Sequence, residues 1–323
     1  MSALLWVDGF FAELRDSLAG ALRDEAHRLS FTLGFAAEPG VPWSAVFSNE
    51  ITLAAPALFA EAMPSAPESA VRHALCAHAL AVVEAMGRDR IEDRQVHATP
   101  AMERVLAAVR TMRNERLALL GGGPAAARIA EGADRELSDA IDLERDLIDG
   151  GLAVDFGTYG AVSERKQSPG LVATTILAER AGWEDGLREV ARRALLDAAL
   201  GLQIYDDVLD WETDATRGGA WALSLARSTL RAGPRGFGTT PAEQRAEVHA
   251  SGVLARMLRR ARYHFRSAAR RAAALGAARV SAWAEERARA LEDLAVRESR
   301  HAGYVNRAHT LAAWARAVFV TKA

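Results

Sequence analysis

Five polar side chains in the segment GLQIYDDVLDWETD, residues 201–214, are spaced so that they could do chemistry together. From Gln203, the aspartates Asp206, Asp207, Asp210 and Asp214 follow at steps of three, four, seven and eleven. On a helix this brings an amide and four carboxylates to one face. An ordinary solvated acidic face mixes in Lys or Arg one turn away to relieve repulsion. Here no basic residue occurs between Arg193 and Arg217. The intervening Ile204, Tyr205, Val208, Leu209 and Trp211 are apolar or aromatic, so both flanks of the stripe can pack. Carboxylates gathered without local cations need a counter-cation from elsewhere. Magnesium suits such an all-oxygen set, taking one or two carboxylates and sharing phosphate oxygens.

At these residues the chain resembles a known family. GLQIYDDVLD is similar to the second aspartate-rich motif of all-trans prenyl diphosphate synthases, with Gln203, Asp206, Asp207 and Asp210 matching position by position. The following Trp211 and Asp214 are similar to a Trp-x-x-Asp of squalene/phytoene synthase-like and large terpene synthase relatives in the same fold. The family carries a first aspartate motif on an earlier helix, and DRIED at 89–93 aligns with it. Asp89 and Asp93 are kept, one helical turn apart and about 5–6 Å between β-carbons, while Arg90 replaces the second aspartate. Glu92 is an additional acid beside them. Lys166 matches a lysine that contacts diphosphate in the family, with Gln167 in place of the usual threonine. Lysine occurs here only at 166 and 322, which gives that match weight, and the neighbouring Arg165 could also reach phosphate.

The resemblance implies a class I isoprenoid synthase with magnesium as cofactor and a linear prenyl diphosphate as substrate. Asp89, Asp93, Asp206, Asp207 and Asp210 would be its metal-site carboxylates. Lys166, Arg165 and Gln203 would contact substrate, and Tyr304 and Arg307, near Arg300, would close over the diphosphate. Chain-elongating members also carry basic clusters that hold isopentenyl diphosphate. The corresponding stretches here, PWSAVFSNEITLAAP (42–56) and RQVHATPAMERV (94–105), lack them. A chain without that second anion site should process one diphosphate, so the leading expectation is a terpene synthase/cyclase. The alternatives are a prenyltransferase, whether chain-elongating or of the squalene/phytoene coupling type, and a non-catalytic subunit of a heteromeric synthase. A homodimer is implied by the resemblance alone.

Helices must position these residues. Apolar positions recur at steps of three and four nearly throughout, and strand-like alternation is almost absent. The pattern predicts helices near 2–34, 44–61, 67–93, 98–120, 124–150, 152–164, 169–181, 184–216, 241–276, 279–299 and 303–321. Turn signals stand between them, such as PSAPES near 64–69 and GGGP at 121–124. RAGPRGFGTTP at 231–241 is expected to be a mobile loop. The fold class expected is all-α: one domain over 1–323, about a dozen helices around a central cavity.

Bulk properties narrow the rest. The 323 residues are 50% hydrophobic and 25% charged with a net charge of −2, which points to no nucleic-acid partner. A single cysteine, Cys76, excludes an internal disulfide. The early acidic residues do not fit a signal peptide, and no stretch approaches about 18 uncharged apolar residues. A soluble, cytoplasmic protein is therefore expected. No Gly-x-Ser-x-Gly, phosphate loop or His-Glu-x-x-His occurs, and His73 and His78, five apart, do not share a face.

Overall fold

The computed structural model describes residues 3–47, 49–217, 219–230 and 238–320. Among them are fifteen α-helices and no strand. The N-terminal third holds α1 (Ala3–Ser17), α2 (Ala21–Thr32), the short α3 (Trp43–Val46), α4 (Glu50–Phe59), α5 (Glu68–Glu92) and α6 (Pro100–Leu117). The middle holds α7 (Gly123–Asp149), α8 (Phe156–Lys166), α9 (Ser168–Arg180), α10 (Asp185–Leu209), α11 (Trp211–Arg217) and α12 (Trp221–Leu230). The chain closes with α13 (Pro241–Ser251), α14 (Val253–Leu275) and α15 (Ala278–Val320).

α5 is the axis of the N-terminal half. Its stretch Ala74–Ala81 is buried without a break, as expected of a helix apolar all round. Small alanines there let α4, α6 and α9 close in on three sides. α10 is the second axis, packed on α9 and α14. It buries Leu195, Leu196, Leu200, Ile204 and Val208. Caps set where the supporting helices begin. Thr99 accepts from the Met102 backbone N–H at 3.1 Å ahead of Pro100, and Asp155 accepts from Thr158 N–H at 2.7 Å to start α8.

Several expected boundaries move. The 2–34 stretch turns between Ser17 and Ala21, and 241–276 breaks at Gly252, whose φ of 66° ends α13 in the left-handed region open to glycine. The 184–216 helix is divided at Asp210, a bend (φ −100°, ψ 0°) between Leu209, where α10 ends, and Trp211, where α11 begins. The two C-terminal segments instead form one helix, α15, which passes through Gly303. α12 falls where no helix was expected: Trp221–Ala226 are all buried, so the segment has no polar stripe to show a helical period. Of GGGP, expected as a turn, Gly121 and Gly122 close a widened π turn over Ala118–Gly122, while Gly123 and Pro124 open α7. Of the expected mobile loop at 231–241, residues 231–237 lie outside the described residues. No described helix is long and apolar enough to cross a membrane.

Candidate active site

The last turns of α5 and α10 face one space from opposite sides. α5 ends with Asp89 in its final turn and Asp93 as the cap, whose N–H donates to Asp89 O at 2.8 Å. α10 ends with Asp206 and Asp207, and Asp210 is its cap. Because the chain bends at Asp210, Asp214 reaches the same space from α11, with its N–H on Asp210 O at 2.9 Å. The mouth of about 200 Å³ is lined by nine carboxylates and five cations. Beside it lies an apolar cavity of about 330 Å³, walled by residues such as Phe47, Ile51, Val82, Leu171, Leu195 and Leu202. Met86, Asp89, Lys166, Gln203 and Asp206 border both spaces, so mouth and cavity adjoin across these side chains.

Lys166, the last residue of α8, is buried between two acids. Its Nζ lies 2.6 Å from Asp89 Oδ1 and 2.5 Å from Oε2 of Glu144 on α7. Trp221, opening α12, donates its indole N–H to the other oxygen of Glu144 at 2.5 Å. Burial alone would discharge the lysine, but Asp89, Glu144 and Asp93 hold its ammonium well above the usual range.

The carboxyl groups shift upward. Burial, then the neighbouring Asp89, pushes Asp93 to about 7 against the pull of Lys166. Burial takes Asp207 to about 7, even though the Tyr159 hydroxyl donates to one oxygen and Gln203 Nε2 donates to the other at 2.9 Å. Asp214 rises to about 6 through burial and the charge of Asp210. Asp206 rises for the same two reasons, opposed by Arg90. Carboxylates that would rather keep a proton than share the space ionised lack positive charge, and a bound divalent cation would supply it. Among the described residues, no three His, Cys, Asp or Glu side chains converge closely enough to hold a metal ion unaided. A divalent cation held there by one or two carboxylates would take its remaining oxygens from a ligand such as phosphate.

One wall of the cavity carries a polar tie. Pro56 has no N–H to offer the carbonyl of Thr52 one turn earlier in α4, and His78 Nε2 reaches that carbonyl at 3.0 Å. Its Nδ1 lies 2.9 Å from Gly170 O on α9; burial lowers the His78 pKa, and the neutral ring, with one N–H, donates to one of the two carbonyls at a time.

Not every expected site residue reaches the mouth. Asp89, Asp93, Lys166, Gln203, Asp206, Asp207 and Asp210 all line it. Arg165 does not: one position from Lys166, it is rotated to the other side of α8 and pairs with Asp139 at 3.1 Å. Tyr304, 66% exposed on α15, lies outside the lining, and the Arg307 guanidinium stacks 4.7 Å from its ring. Arg300 borders a surface groove between α14 and α15 instead. Sequence reasoning missed Glu144, Trp221, Tyr159 and Arg217. Glu144 is one acid among many on the amphipathic α7, and nothing local marks it.

No family model matches the chain, and no curated protein matches it. Solved structures do: the chain has the all-helical isoprenoid synthase fold. A polyprenyl synthase from Caulobacter crescentus CB15, complexed with calcium and isoprenyl diphosphate, superposes with a TM-score of 0.65 at 16% identity, over 88% of this chain and 94% of that one. A polyprenyl synthetase from Streptomyces coelicolor A3(2) gives 0.56 at 18% identity, over 94% and 95%. A geranylgeranyl pyrophosphate synthetase from the archaeon Geoglobus acetivorans gives 0.55 at 15%, over 85% and 98%.

Proposed function

We propose that this chain is a magnesium-dependent prenyltransferase acting on a linear allylic prenyl diphosphate. The observation that carries the reading is an acid-lined mouth that adjoins an apolar cavity across Met86, Asp89, Lys166, Gln203 and Asp206. An amphiphile with a diphosphate head and a hydrocarbon tail has that profile. Asp89 and Asp93 on α5 and Asp206 and Asp210 on α10 are the carboxylates that would hold magnesium. Bound there, magnesium supplies Lewis-acid stabilisation of the departing diphosphate. Asp207, engaged by Tyr159 and Gln203, serves by fixing the end of α10. Lys166 offers a buried, always-charged donor to the diphosphate, aimed by Glu144. The apolar walls exclude water from the allylic cation left after ionisation, so an acceptor placed in the cavity captures it instead. The likeness to prenyl diphosphate synthases supports transfer over the cyclisation expected from the missing basic clusters.

One observation favours a second reading, single-substrate cyclisation or elimination. The 42–56 stretch lends the cavity Phe47, Asn49, Ile51 and Thr52, and no cation among the described residues. Products decide between the two. Purified protein would be incubated with magnesium and linear prenyl diphosphates from geranyl upward, with and without isopentenyl diphosphate, alongside Asp206→Ala and Asp89→Ala. Pyrophosphate release with a longer prenyl chain, only when the acceptor is present, supports transfer. Release from one substrate alone supports cyclisation. No release under any combination sinks both.

A further inference from the structure

Arg90 departs from the family pattern, and the fold has built a seat for it. One position after Asp89, its side chain leaves α5 about 100° away from the Asp89–Asp93 face. It is caught by the end of α2. Nη1 donates to Gly34 O at 2.8 Å and to Leu33 O at 3.3 Å, carbonyls at a helix C-terminus, where a cation is favoured. The guanidinium lies 4.3 Å from the centre of the Phe35 ring. Gly34 has a φ of 73°, and a β-carbon there would stand 2.9 Å from Nη1, so the seat requires glycine on both counts.

So held, Arg90 still lines the mouth. Burial lowers the affinity of its guanidinium for its proton, Asp206, Asp210 and Asp89 raise it, and Arg217 opposes them. Only Nη1 is spent on the seat: Nε and Nη2 donate to no described residue. A planar guanidinium with an unused edge suits two phosphate oxygens at once.

We infer that Arg90 is a resident cation of the diphosphate site, donating directly to the diphosphate and giving the protein an affinity for that group that needs no metal. The inference rests on the reading of the mouth as a diphosphate site. Its structural rival is a staple between α2 and α5 with no ligand.

Calorimetric titration with inorganic pyrophosphate, once with a chelator and once with saturating magnesium, separates the two. Wild type should bind in chelator. Arg90→Met should lower that affinity about tenfold or more, the size expected for losing charge-assisted hydrogen bonds, and lower it less when magnesium is present. Arg90→Lys, which keeps the charge, should recover part of the loss and guards against a folding defect in the first variant. Metal-free binding equal in all three proteins would overturn the assignment. A magnesium-dependent prenyl diphosphate activity that survives beside that equality leaves the proposed function standing and removes only Arg90. Wild type that binds no pyrophosphate under either condition removes both.

Discussion

Glu144 and Lys166 come from different helices, are both buried, and are bound to each other at 2.5 Å. Each also has a partner on the far side: the Trp221 indole for the acid and Asp89 for the amine. The charge needed at the mouth is thus held in a chain running from α12 through α7 and α8 to α5.

Removing Glu144 breaks that chain in the middle. Glu144→Ala should cost about 3 kcal/mol of stability, the order seen when one member of a buried pair is lost. It should also weaken pyrophosphate binding, because Lys166 is then drawn to Asp89 alone. Denaturant unfolding reads the first effect and calorimetry the second. Unchanged stability would show that the pair is not formed.

The two adjacent aspartates of α10 should behave differently. Asp206→Asn ought to abolish pyrophosphate release, since that side chain opens to the mouth. Tyr159→Phe takes a donor from Asp207 and should cost about 1–3 kcal/mol in stability while leaving measurable turnover. Equal losses of activity in the two variants would contradict the division of roles.

Asp93 and Asp207 at about 7 and Asp214 at about 6 set a pH signature. In the folded chain they keep protons that the unfolded chain has already released. The folded state binds more protons between about pH 4 and 7, so these groups make stability fall as pH rises through that window. Magnesium with pyrophosphate favours the ionised carboxylates, so binding should expel protons near pH 6 and tighten as pH rises. Titrations in buffers of different ionisation enthalpy count those protons. Zero release would mean that the carboxylates are ionised beforehand.

His78→Leu removes the imidazole lying between Thr52 O and Gly170 O and strands whichever carbonyl its N–H serves. A loss of about 1–3 kcal/mol is expected in thermal or denaturant unfolding. His78→Gln, with one amide donor, should recover part of it.

How much of this could be read from the sequence depended on whether the signal was local. The acidic stripe of α10 was visible because five polar residues without a compensating base are unusual over so short a span. Asp89 and Asp93 were visible through their one-turn spacing and their alignment with the family motif. The bend at Asp210 was not, since the helical period of the sequence runs through it unbroken. Glu144 and Trp221 do their work through partners 22 and 77 positions away, which no periodicity encodes. Arg165, Tyr304 and Arg307 were plausible by charge and position along the chain, yet the rotation of α8 and the exposed course of α15 carry them elsewhere. The seat of Arg90 was hidden in the same way: a substitution at a motif position became intelligible only when the end of α2 came to rest against it.

Lys166, finally, makes the molecule a natural gauge of its own opening. With only two lysines in the chain, amine-directed reagents have very few targets. The one at the mouth is enclosed by two acids and firmly protonated, and an ammonium has no lone pair for an acylating reagent. Its labelling would therefore report each occasion on which α7 and α8 part, read by mass spectrometry without any engineered probe.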